Sequence, residues 1–180
     1  MKTRLSILYS CFVRMATIWL PDVPVFMYFR GFLYSLMMKH CGKNFLVPST
    51  VIINSLSGLW VGDNVGFGHR TIIIATDLTI EDEAIIGPNC LISGGNHTFQ
   101  GRSYRFGPHA AKPVIIKSGS WICGNCVVTA GSILPARSVL TPGSVLTKAF
   151  KKSDSIYSGQ PAKFVVETHN ELPADLQPTT

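Results

Sequence analysis

An aliphatic residue recurs every six positions near the centre of this chain: Ile116, Ile122, Val128, Leu134, Leu140 and Leu146. The fifth place of each block is small: Ser120, Cys126, Ser132, Ser138 and Ser144. A strand alternates with period two and an amphipathic helix with a period of about 3.6, so neither yields a strict six. A period of six suits a parallel β-helix in which each block makes one side of a coil. The first residue then points inward, the fifth fills space near a corner, and the second to fourth make the turn.

The pattern extends upstream. Val61, Phe67 and Ile73 open three blocks, one extra residue shifts the phase, and Ile80, Ile86 and Ile92 open three more. The segment IIGPNC (85–90) carries Gly and Asn where a tight corner needs left-handed backbone. After His97 the register is lost through HTFQGRSYRFGPHAAKPV and resumes at Ile116. Loops this long without structure of their own are often functional. These readings predict an all-β domain over 45–150, about five coils of eighteen residues, with a corner loop at 97–113. The remainder, 151–180, is a C-terminal extension whose last dozen residues read as disordered or loosely packed.

Residues 1–44 are of another kind. LSILYSCFVRMATIWL is apolar around Arg14, Pro21 and Pro24 interrupt it, and VFMYFRGFLYSLMMKHCG follows. This predicts two helical segments broken at the prolines, the second ending near Gly42. Two roles are open. The aromatic residues Phe26, Tyr28, Phe29, Phe32 and Tyr34 cap the open end of the β-helix, or the segment lies in a membrane interface with Arg14, Arg30 and Lys39 near lipid phosphates. Lys2 and Arg4 precede the apolar run as in a signal peptide, but no small-x-small cleavage site follows.

Charge narrows the partners. The net charge is +6 with 16 basic against 10 acidic residues. That fits a soluble basic protein, or one meeting phosphates of a cofactor or an acidic membrane surface. No basic run or recognition-helix pattern points to nucleic acid. Five cysteines without secreted-scaffold spacing imply reduced thiols and a cytoplasmic setting. Cys123 and Cys126 form a CxxC, but Cys126 and Cys90 hold inward fifth positions, so buried small residues are expected rather than a metal or redox site.

Four local motifs resemble the hexapeptide-repeat acyltransferases, and within them the galactoside, maltose and polysaccharide O-acetyltransferases. They are Asn96–His97 before the long loop, Trp121–Ile122–Cys123–Gly124 where the repeats resume, Pro142–Gly143–Ser144–Val145–Leu146–Thr147–Lys148, and Gly159–Gln160–Pro161–Ala162–Lys163. The resemblance implies a left-handed parallel β-helix, a homotrimer with active sites between subunits, and acetyl transfer from acetyl-CoA to a saccharide hydroxyl. No metal is expected, since no histidine pair has zinc-binding spacing. The apolar, basic N-terminus hints at a surface-polysaccharide or lipid-linked acceptor and a peripheral position at the inner face of the membrane.

Acetyl transfer to a hydroxyl needs a base, and a neutral imidazole suits that near pH 7. His97, at a corner, is the expected general base. Asn96, His69 and Asp77 are the expected acceptor contacts. His109 lies in the loop with Arg102, Tyr104 and Arg105, which either covers a neighbouring site or forms a surface flap. His40 and His169 receive no role. Gly124 and Pro142 are eighteen residues apart and so stack at one corner. In the family this line of backbone receives the pantetheine arm of coenzyme A. Gly124 offers its N–H with no side chain in the way, whereas Pro142 replaces an Ala and cannot donate. The resemblance also brings Trp121, Ala130, Lys148 and Lys163 to the cofactor, the lysines near its phosphates with Lys151 and Lys152 adding charge. An alternative with the same fold is N-acetylation of an amino sugar or nucleotide sugar. A zinc-dependent β-helix such as a γ-class carbonic anhydrase is disfavoured, because no histidine pair has the required spacing.

Overall fold

A computed structural model describes residues 2–168. Two helices come first, α1 (Lys2–Thr17) and α2 (Pro24–Ser35). The chain then winds through coils of short strands. The first coil holds β1 (His40–Cys41) and β2 (Ile52–Ile53); the second holds β3 (Leu59–Val61), β4 (Gly66–Phe67) and β5 (Ile72–Ile74). The third holds β6 (Leu78–Ile80), β7 (Ile85–Ile86) and β8 (Leu91–Ser93). A hairpin follows, β9 (Gly95–His97) and β10 (His109–Ala111). Two further coils hold β11 (Val114–Ile116), β12 (Trp121–Ile122) and β13 (Val127–Val128), then β14 (Ile133–Leu134), β15 (Val139–Leu140) and β16 (Val145–Leu146). A last hairpin, β17 (Ser155–Gly159) and β18 (Ala162–Glu167), ends the described chain.

Like sides of successive coils stack into three parallel sheets. The first is β1-β3-β6-β11-β14 and the third is β2-β5-β8-β13-β16. The second runs β4-β7-β12-β15-β17 and is closed by the antiparallel β18. The expected parallel β-helix is thus present. Its period is visible in the register. Ile122 aligns with Leu140 and Val128 with Leu146, one eighteen-residue coil apart. Val61 aligns with Ile80 across the extra residue, and Ile52 with Ile72 across twenty.

All six opening residues from Ile116 to Leu146 are fully buried. So are the five small fifth residues, and each buried hydroxyl has a partner. Ser132 Oγ, for instance, donates to Leu146 O at 2.9 Å. Left-handed corner residues stack in columns: Asn64, Glu83, Gly119, Arg137 and Asp154 at one corner, Arg70, Asn89, Asn125 and Gly143 at the next. Arg137 and Asp154 also form a two-pronged ion pair at 2.6 and 2.7 Å. Cys90, Cys123 and Cys126 are buried and unpaired. Cys90 Sγ lies 3.1 Å from Cys123 O, and Cys126 Sγ 3.1 Å from Thr141 O. The Cys126 thiol beside it, together with burial, pushes the Cys90 thiol far above its usual range. Burial pushes Cys123 up to about 11. Among the described residues no three His, Cys, Asp or Glu side chains group to hold a metal.

The N-terminal segment differs from expectation in three respects. Helix α2 stops at Ser35 rather than near Gly42, and β1 already pairs with β3 at His40–Cys41, so the first coil begins inside residues 1–44. The early coils are longer than eighteen, which hid that start from a strict count of six. The capping contact combines apolar residues, Val13 and Tyr34 in the core with Tyr9, Leu33, Met37 and Met38 packed against it, with small and polar ones. Ser10 Oγ donates to Ile53 O, and Ser6 Oγ lies 3.3 Å from Ser55 Oγ. Gly31 packs so closely that a Cβ there would sit 2.1 Å from Phe45 O. Of the five aromatics expected to cap, only Tyr34 is fully buried, while Tyr28, Phe29 and Phe32 are exposed.

Arg30 does not reach toward solvent. It is 1% exposed and donates to Val47 O (2.7 Å), Thr17 O (3.2 Å), Leu20 O (3.1 Å), Thr17 Oγ1 (3.2 Å) and Asp22 Oδ1 (3.0 Å). A buried guanidinium is tolerable only when its donors are matched in this way. Arg30 therefore pins both helices to the first coil, and is not a lipid-phosphate ligand. Burial raises the Asp22 carboxyl, but the Ser49 hydroxyl and N–H, then Arg30 and His69, outweigh it and hold the group below its ordinary value.

Candidate active site

The hairpin β9–β10 is where the six-residue register breaks. Strand β8 and strand β13 pair Leu91 with Val127, so the excursion adds one coil's length of chain without disturbing the stack. It is not the structureless loop expected. Its antiparallel register sets His97 opposite His109, Asn96 opposite Ala110 and Gly95 opposite Ala111. The two imidazole rings are 4.7 Å apart, tilted by 49°. Beneath the hairpin root lies a cavity of about 290 Å³, lined by Asn54, Ile74, Thr76, Ser93, Gly95 and His109 among others. Gly95 leaves space for the His109 ring: a Cβ there would stand 3.2 Å from His109 Nδ1. Asn96 and His97 are both exposed at the hairpin's edge. Sequence reasoning gave His109 no definite part, because pairing across twelve residues depends on hairpin register rather than on local spacing.

Of the other predicted site residues, Asp77, Ala130, Lys148, Gly124 and Pro142 fall at two edges of the third sheet, and Trp121 and Lys163 lie on the second. Asp77 lies at the same corner as the hairpin; its backbone O accepts from Val114 N at 3.1 Å, and its side chain is exposed. Ala130 and Lys148 belong to this corner too. Lys148 is exposed, with Nζ 5.2 Å from the Phe150 ring centre. Gly124 and Pro142 stack at the opposite edge, between the second and third sheets. Gly143 N donates to Gly124 O at 3.0 Å, and Asn125 N to Pro88 O at 2.9 Å. The Gly124 N–H donates to no protein group among the described residues. Trp121 stands exposed on the outer face of the second sheet between Ile85 and Val139. Lys163 is exposed on β18, opposite Ser158.

His69 is on the Gly124 side, not beside His97. Its Nδ1 is 3.2 Å from Thr50 Oγ1 and 3.7 Å from Asp22 Oδ2, so it faces the N-terminal cap. Within one chain, then, His97 and Asn96 sit on the hairpin whose Gly95 and His109 line the cavity, and Asp77 follows the lining residue Thr76, but none of the three lines it; Gly124, Pro142 and His69 lie across the third sheet. His169 lies outside the described residues.

No family model matches the chain, and no curated protein matches it in sequence. Solved structures do. A hexapeptide-repeat-containing acetyltransferase from Vibrio cholerae, complexed with acetyl coenzyme A, superposes with TM-score 0.81 at 21% identity, covering 93% of this chain and 89% of that one. A galactoside acetyltransferase in complex with coenzyme A gives TM-score 0.81 at 22% identity, covering 93% and 82%. The fold is that of the hexapeptide-repeat acetyltransferases. An N-acyltransferase from Bacillus cereus, in complex with dTDP-4-amino-4,6-dideoxyglucose and coenzyme A, is less similar: TM-score 0.60 at 16% identity, over 74% of this chain and 85% of that one. The likeness to the first two thus takes in nearly the whole described chain.

Proposed function

We propose that the protein is an acetyl-CoA-dependent O-acetyltransferase acting on a saccharide hydroxyl, with His97 as general base. The observation that carries this reading is the exposed His97, paired across its hairpin with the cavity-lining His109, on a fold shared with acetyltransferases solved with acetyl-CoA or coenzyme A bound. The neutral His97 imidazole takes the acceptor's proton as its oxygen attacks the thioester carbonyl. The same proton then passes to the departing thiolate of coenzyme A. A covalent route through cysteine has little support, since Cys90, Cys123 and Cys126 are buried. The free Gly124 N–H suits an amide of the pantetheine arm. Pro142 has no N–H to add, and Lys148 and Lys163 suit the phosphates. Asn96 and Asp77 serve the acceptor from the cavity side.

The division of these residues between two edges of the third sheet supports a homotrimer, in which one chain's hairpin corner meets its neighbour's Gly124 corner. His69 then faces the acceptor from the neighbour. A surface-polysaccharide or lipid-linked saccharide precursor at the cytoplasmic face is the acceptor class we favour. The N-acyltransferase likeness gives a second reading, transfer to an amino sugar. Chemistry separates the two, because hydroxylamine cleaves an ester product and spares an amide.

The test of the base is His97→Ala assayed for acetyl-CoA consumption with a panel of oligosaccharides. A fall in kcat of about a hundred-fold or more is expected. Activity within several-fold of the parent overturns the assignment.

A further inference from the structure

We propose that the N-terminal helices dock the protein on an anionic phospholipid surface, lying on it rather than crossing it. The proposal does not rest on His97 or on acetyl transfer. Its ground is an inversion of polarity in α1. The residues this helix buries against the first coil are Ser6, Ser10, Val13 and Thr17. Its outward stripe is Leu5, Leu8, Phe12, Met15 and Trp19, at alternating spacings of three and four, all 58–88% exposed. Helix α2 repeats the arrangement. It buries Arg30, Gly31 and Tyr34 and turns out Val25, Tyr28, Phe29, Phe32 and Leu36. A helix packed on a protein core in water ordinarily does the opposite. Contiguous apolar surface of this kind marks a contact face.

The charges around the stripes select the occupant. Residues 2–43 contain one carboxylate, Asp22, and it is taken up by Arg30 and Ser49. The side-chain cations of Lys2, Arg4, Arg14, Lys39 and Lys43 form no ion pair among the described residues, although the Lys43 backbone N–H donates to Asp63. Apolar stripes flanked only by cations complement a surface with negative headgroups above hydrocarbon. No described helix is long and apolar enough to cross a membrane, which leaves the interfacial position. Trp19, the most exposed of these side chains, lies just past the end of α1, where an amphipathic ring suits the headgroup boundary.

The test is vesicle flotation of the full chain, with vesicles of phosphatidylcholine alone and with phosphatidylglycerol added. The parent should float with the anionic vesicles, less at high salt, and shift its tryptophan emission to the blue. The Trp19→Phe variant should lose most of that shift. The double variant Leu8→Glu/Phe12→Glu changes only exposed positions and should lower the bound fraction about ten-fold or more. Its thermal midpoint and oligomeric state should be unchanged. Failure of the parent to float, or equal flotation of the double variant, overturns the proposal. So does a double variant that falls to a smaller oligomer while still binding vesicles, because the face then joins copies of the chain.

Discussion

The β-helix and the helical hairpin use buried serine for opposite ends. In the coils, Ser120, Ser132, Ser138 and Ser144 fill corners while the neighbouring aliphatic residues also go inward. In α1, Ser6 and Ser10 go inward and the large apolar side chains go out. The coils hold together by burying hydrocarbon. The hairpin adds to a smaller apolar contact, Val13 and Tyr34 with Leu33 and Met37 beside them, a close approach at Gly31 and matched polar groups with Arg30 at their centre. Hydrocarbon content therefore says little about which part of this chain stabilises it; direction does.

The comparison can be broken by mutation, and the largest effect should fall on the hairpin's polar anchor. Arg30→Ala removes the closest cation from Asp22 and leaves three backbone carbonyls without their donor, and should cost about 3–5 kcal/mol in a denaturant melt. A loss under 1 kcal/mol would mean the helices are not pinned this way. Next comes a matched pair of truncations. Leu134→Ala, fully buried in the fifth coil, should cost about 2–5 kcal/mol, whereas Leu8→Ala should stay within about 0.5 kcal/mol. Equal losses would show that α1 is covered in solution and would erase the contrast.

The smallest effect is on pH dependence. Asp22 has its folded pKa lowered, so its contribution is present in full above the ordinary carboxylate value and is lost as pH falls through the folded one. An acid titration followed by circular dichroism should show the helical signal weakening over that range. Asp22→Asn should flatten that limb at the price of lower stability near neutrality.

Much of the coil architecture could be read from residue types alone, because the buried opening residues from Val61 to Ile92 and from Ile116 to Leu146 recur every six positions with one slip. The break after His97 was equally plain. Other features escaped for physical reasons. The first coil is twenty residues long, so β1 at His40–Cys41 lies outside any strict phase. An arginine in an apolar segment reads as solvent-facing, and only tertiary contacts reveal five acceptors around Arg30. His69 and His97 looked like companions along the chain, yet each coil has three corners and the two histidines occupy different ones. His109 meets His97 through a hairpin, a pairing without a sequence period.

The root of that hairpin is itself tied: Lys112 N donates to Gly94 O at 3.0 Å, and β11 resumes on β6 as if nothing had intervened. Segment 95–111 is therefore a cassette. It can be lengthened, shortened or exchanged while every coil above and below keeps its alignment. His97, His109 and the hairpin's part of the cavity lining travel together on it, so this one appendage can vary as a unit without rebuilding the solenoid.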